Sequence, residues 1–175
     1  MPTRFEEPFY TCTSRAWHLE MRDSYEGTAE DDPDFHAWRA AGCPDLELDW
    51  VRTYLKDWTD VTRAMVGRGV DVRRARIVSE PVTEYIRWEH QLTPVNLDGG
   101  EKVRWLSRAE CSDLFLPGND FWVFDDTVIR FGYFKGNGGY LRDDYRREAS
   151  LIGSVADAFL KVWERAVDHE DYKLR

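Results

Sequence analysis

Disulfides, metal-ligand spacings, membrane-length apolar runs and the familiar catalytic signatures are all missing from this chain of 175 residues. Its three cysteines, Cys12, Cys43 and Cys111, are widely spaced and form no CxxC, which argues against a disulfide framework and a zinc ribbon. The four histidines, His18, His36, His90 and His169, show neither HxxxH nor HExxH spacing. No apolar run approaches the ~20 residues that a membrane span needs. The first ten residues carry Glu6 and Glu7 and no apolar h-region, so no signal peptide, no membrane partner and a cytoplasmic location are expected. Basic charge is also short: 24 Lys and Arg stand against 33 Asp and Glu, a net charge of −9. A chain that binds nucleic acid must neutralise phosphates with surplus Lys and Arg. Direct nucleic-acid contact is therefore not expected, the local Arg73, Arg74 and Arg76 group being the one place it would occur. There is no GxSxG elbow, P-loop or Rossmann fingerprint, since the glycines of GNGG at 136–139 precede no helix pattern. No catalytic residue, cofactor or metal follows from these absences.

What is present is a packed globule: 42% hydrophobic and 14% aromatic residues, eight of them tryptophan. The pattern reads as α/β (α+β), one domain over 1–175 with an N-terminal extension at 1–14. A mixed central sheet of five or six strands is expected, covered by three main helices. Arg15–Arg22 alternates as a strand, with Trp17, Leu19 and Met21 on its apolar face and Ala16, His18, Glu20 and Arg22 on the other. Asp32-Pro33 starts a short helix that stops at Gly42. One helix spans Asp49–Val66 on the stripe Val51, Tyr54, Leu55, Trp58, Val61 and Met65. Val70–Val78 is a strand with Arg74 and Arg76 on one face. A helix over Val82–Leu92 ends near Thr93-Pro94, and Val103–Leu106, Phe121–Asp125 and Val128–Phe134 are strands, with Tyr140–Leu141 a marginal one. The last helix covers 143–170 on a heptad-like seam. That seam fits packing on a sheet better than a coiled coil, although a homodimer stays open.

The densest polar region runs from Arg74 to Arg104. Glu89 edges onto the apolar face of its helix, where an unpartnered carboxylate is costly, and Arg76 or Arg104 is the natural partner. Two readings stand side by side: an ion network fixing helix to sheet, and a ligand site drawn from Glu20, Arg76, Tyr85, Arg87, Glu89, Arg104, Trp122 and Asp125. A second acidic group, Asp120, Asp125 and Asp126, fits turn chemistry better than a metal cage.

The run VRRARIVSEPVTEYIRWEHQLTPVNLDGGEKVRWLSR, then LPGNDFWVFDD, with HLEMRDSY upstream, resembles an actinobacterial family of unknown function often encoded beside helix-turn-helix regulators. The resemblance covers roughly Phe5 to Trp163 and implies emphasis on Glu20, Tyr25, Tyr85, Arg87, Glu89 and Trp122 among others. More remotely, the element order and FWVFDD are similar to half of a phospholipase-D-like domain. That superfamily's catalysis needs a histidine and a lysine two apart, which PGNDFWVFDD lacks, so phosphodiester hydrolysis is not expected. The resulting expectation is a non-catalytic regulatory or interaction module, sensing a small polar ligand or partnering a helix-turn-helix regulator. The alternative is a small enzyme acting on an anionic or polar metabolite held by Arg76, Arg87 and Arg104.

Overall fold

The computed structural model describes residues 7–25, 27–28 and 32–175. Seven strands form one mixed sheet in the order β6-β5-β4-β1-β2-β3-β7. They are β1 (Arg15–Glu20), β2 (Asp71–Val78), β3 (Lys102–Ser107), β4 (Phe121–Phe124), β5 (Val128–Phe134), β6 (Tyr140–Arg146) and β7 (Val167–Asp168). β1, β2 and β3 run parallel, whereas β4, β5, β6 and β7 join antiparallel. The helices are α1 (Glu7–Thr11), α2 (Pro33–Ala40), α3 (Leu48–Tyr54), α4 (Lys56–Gly67), α5 (Glu84–Asp98) and α6 (Ala149–Arg165). Parallel neighbours need crossover connections, and α2–α4 and then α5 supply them. Two crossovers of one hand that step the same way across a sheet place their helices on one face. α4 and α5 accordingly share a face, and α6 takes the other.

Each face has its own core. Under α6, Phe159, Val162 and Trp163 pack on Trp17, Leu19, Ala75, Ile77 and Val123. On the opposite face, α4 sets Met65 against Ala16, Val72, Trp122 and Phe124, while α5 sets Ile86 against Val78, Val103 and Trp105. A further layer lies outside α5, where Phe35, Trp38 and Val51 pack on Trp88, Leu92 and Val95. β1 is thus covered on both sides, and the face carrying His18 and Glu20 is as enclosed as the apolar one.

Several boundaries differ from expectation for identifiable reasons. The sheet has seven strands, not five or six: the marginal strand at Tyr140 extends through 143–146 as a full β6, and β7 is the seventh. Tyr145 suits a helical seam by spacing, but its backbone pairs with Arg130 across the β5–β6 hairpin, and α6 begins only at Ala149. β7 is two residues long, too short to leave a pattern. The helix expected over Asp49–Val66 breaks at Leu55 (φ −91°, ψ 9°) into α3 and α4. Past the break the buried positions become Thr59, Thr62 and Met65. α5 is capped by Thr83, whose Oγ1 accepts from Ile86 N–H at 3.2 Å, and it continues through Pro94 to Asp98. Proline removes one N–H from the helix and normally ends it, but here Thr93, Val95 and Asn96 are all buried, and that packing holds the helix together.

Candidate functional site

Register builds the site before any side chain is considered. Glu20 lies beside Arg76, and His18 beside Arg74, on the parallel strands β1 and β2. His18 is also level with Trp122, and Trp122 with Arg130. Residues opposite one another share a face, so a row of polar and aromatic groups crosses the sheet beneath α4 and α5.

Its centre is a buried ion network. Glu20 takes Arg74 Nη1 on one oxygen and Arg76 Nε, at 2.5 Å, on the other. Arg74 Nε reaches Glu101 Oε1 at 2.7 Å. Arg76 also donates to Thr93 Oγ1 at 2.7 Å and to Glu89 Oε1 at 3.3 Å. Glu101 Oε2 accepts from Trp58 Nε1 at 2.9 Å and from Asn96 Nδ2 at 3.2 Å. Glu101 is delivered by the turn after α5, where Gly100 sits at φ +90°, a conformation that glycine enters without a steric penalty. Burial works to raise the pKa of Glu20, but Arg74 and Arg76 outweigh it and hold the carboxyl well below its usual range. Glu89 behaves oppositely: burial pushes it up to about 7, with Arg76 opposing and Glu20 adding to the rise. The distinction follows from partners, because Glu20 has two guanidiniums and Glu89 shares one.

Beside this network lies a cavity of about 150 Å³. The strands contribute His18, Glu20, Trp122, Arg130, Phe134, Tyr140 and Asp143 to its wall, and Tyr25 and Asp120 close it. Asp120 Oδ1 accepts from Met21 N–H at 2.9 Å, and its Oδ2 takes the Tyr25 hydroxyl. Burial pushes the Asp120 carboxyl up to about 6, the Tyr25 hydrogen bond opposing. Burial likewise holds His18 well below the usual imidazole range, so it is neutral, stacked on Trp122 with centroids 4.2 Å apart. Arg130 Nε lies 3.1 Å from Asp143 Oδ1.

Of the residues singled out from the sequence, Glu20 and Trp122 line the cavity, and Arg76 and Glu89 stand behind it in the network. Tyr85 is one ring away, 5.9 Å from Tyr25. The others lie elsewhere. Arg87 is exposed on α5. Arg104 points to the α6 face, where it pairs with Asp168 at 2.8 Å, donates to the Trp163 carbonyl and stacks over the Trp163 ring; it is Arg76 alone that meets Glu89. Asp125 occupies the β4–β5 turn at φ +50°, and its carboxylate accepts the backbone N–H groups of Thr13, Ser14 and Arg15. Asp126 pairs with Arg15. Asp125→Ala should therefore destabilise the fold by about 1–3 kcal/mol through stranded donors. Chemical denaturation measures this, and an unshifted midpoint would mean that water replaces the carboxylate. Arg130, Phe134, Tyr140 and Asp143 were missed as site residues, and Asp120, expected in turn chemistry, lines the cavity instead. The signal available was the alternation Arg130, Gly132, Phe134 on β5, which puts them on the face of Trp122.

Fold and site together define a single-domain α/β protein with a polar cavity set against a buried arginine–carboxylate network. Residues 3–174 match the family model described as Domain of unknown function (DUF6879), and the chain belongs to that family. No curated protein matches it. Among the described residues no helix is long and apolar enough to cross a membrane.

Proposed function

We propose that this chain is a non-catalytic, ligand-sensing module whose cavity beside Asp120 takes one small polar molecule. The observation that carries the reading is the cavity itself. Concave sites with a few convergent polar groups and perturbed ionisations are where ligands bind, and about 150 Å³ suits a molecule of roughly benzene size. The lining contains no serine, threonine, cysteine or lysine. A packed aromatic route also leaves the site: Tyr25 meets Tyr85, Tyr85 meets Phe35, and Phe35 and Trp38 meet Trp88. Trp88 touches Trp50, which is 38% exposed and stacked on Tyr54. Such a route supports an output surface for a protein partner, a helix-turn-helix regulator being the partner that the family resemblance implies.

Gly132 provides the test. A Cβ there would come within 3.2 Å of the Phe134 ring, crowding the cavity wall without touching the network. A panel of small polar metabolites should contain members that raise the melting temperature of the parent protein and leave Gly132→Ala unmoved. Binding the native state only stabilises it by about 2.7 kcal/mol at a hundredfold excess over Kd, which a thermal shift resolves. Equal shifts in both proteins would place binding outside the cavity.

One observation favours a second reading, an acid–base enzyme. Glu20 is held ionised while Asp120 is pushed up to about 6, and environments that drive two carboxyls apart are how acid and base roles are divided. Chemical conversion of a bound panel member, abolished in Asp120→Asn, would select that reading.

A further inference from the structure

We infer that the cavity's ligand is a small organic ammonium ion, held by the Asp120 carboxylate within a wall of aromatic rings. This rests on the cavity being a ligand site, as proposed above, and adds the chemistry it selects. The first ground is a charge imbalance among the buried groups. Among the described residues, Glu20, Glu89, Glu101, Asp120 and Asp143 are carboxyls, whereas Arg74, Arg76 and Arg130 are the guanidiniums paired among them and Arg22 acts on Asp120 from beside Phe134, which leaves one carboxyl in excess. Of the carboxyls facing the cavity, Glu20 is held by two arginines and Asp143 by Arg130. Among the described residues, Asp120 accepts hydrogen bonds from neutral donors, the Met21 N–H and the Tyr25 hydroxyl, while the charge of Arg22 acts on it without a hydrogen bond. With its second-oxygen lone pairs still available, it is the group that a cation would complete.

The second ground is the geometry of the rings. Tyr25 and Phe134 stand edge to face, 5.1 Å apart at 73°, and Phe134 and Tyr140 are 6.2 Å apart at 80°. Trp122 lies across the cavity with His18 stacked on it. Rings meeting near right angles form the corner of a box. The faces of such rings attract ammonium groups, and cages of this kind recognise methylated ammonium. Phe134 already draws a cation from its own chain, the Arg22 guanidinium lying 5.2 Å from its centroid. His18, kept neutral by burial, adds no competing positive charge. The size also discriminates, since about 150 Å³ admits a methylated ammonium group and leaves no room for a nucleotide or a peptide.

The test is titration calorimetry on the intact protein at pH 7.5 and constant ionic strength. The probes are methylammonium and trimethylammonium chloride, with tert-butanol as the neutral counterpart and acetate as the anion. At least one ammonium probe should bind tenfold or more tightly than tert-butanol, and acetate should not bind. Asp120→Asn should weaken that ammonium at least tenfold. Phe134→Leu should weaken it severalfold, with far-ultraviolet circular dichroism checking that both variants fold. If tert-butanol or acetate binds as tightly, and Gly132→Ala abolishes it, the cavity is a ligand site but its ligand is not a cation. If no probe of any charge binds, the cation inference falls. If, in addition, the metabolite panel shifts the parent and Gly132→Ala alike, the cavity reading falls with it.

Discussion

Glu20→Ala is expected to lower conformational stability by about 3–5 kcal/mol, the loss typical of removing one partner from a buried ion pair. The magnitude follows from what the substitution leaves behind. Arg74 and Arg76 expose 11% and 6% of their side chains, and the removed carboxylate is their common acceptor. Arg74 keeps Glu101, and Arg76 keeps Thr93 and Glu89. Two guanidiniums nevertheless lose their central counter-charge in a region that water scarcely reaches. Urea denaturation at pH 7 should show the midpoint displaced at unchanged slope, the sign of altered stability without altered compactness. A loss of unfolding free energy below about 0.5 kcal/mol, the scale of an ordinary surface substitution, would show that the guanidiniums are solvated.

Glu89 should give the opposite lesson, read through pH. Its folded pKa, raised by burial to about 7, exceeds the value of roughly 4.3 for a free glutamate. The native state therefore holds this proton more tightly than the unfolded chain does. Stability from the group is full below the unfolded pKa and is lost as pH rises through the folded one, a span worth about 3–4 kcal/mol. Glu89→Gln cannot titrate and keeps an oxygen for Arg76. The stability of the variant minus that of the parent should climb in the variant's favour by up to about 3 kcal/mol between pH 4 and pH 8. Taking the difference matters, because other groups act with the reverse sign. Burial holds His18, His90 and His169 below the usual imidazole value, so they withdraw stability as pH falls. Glu20, depressed by its arginines, does so lower still. These contributions largely cancel between parent and variant. A flat difference would mean that Glu89 is ionised in the native state throughout.

The contrast between these two glutamates shows how much of the site could be read in advance. Arg74 and Arg76 alternate along a strand, and Glu89 falls on the apolar side of a helix, so a buried charge cluster was visible from spacing. Its partners were visible only in part. Arg104 has the same alternation in its own strand as Arg76, yet β3 is set one residue out of phase: Arg104 is level with Ala75, and Trp105 with Arg76. One step of register turns a side chain to the opposite face, and Arg104 is sent to α6 and Asp168. The antiparallel half was harder to read. The strand 140–146 carries charges at most positions and a tyrosine at helical spacing, and only its pairing with β5 declares it a strand.

By itself the sequence determined the class of fold, the division into strands and helices along most of the chain, and the presence of buried arginines and glutamates. Those properties depend on periodicity and local chemistry, which a single strand or helix displays alone. Tertiary structure decided which carboxylate each arginine meets, which of two glutamates stays ionised, and that Tyr25, Asp120, Arg130 and Asp143 enclose one cavity. These four come from a loop after β1, the approach to β4, and two strands of a hairpin. No local pattern links them, because their proximity is set by strand order and register across the sheet, and ionisation in turn depends on the burial and counter-charges that only this assembly creates.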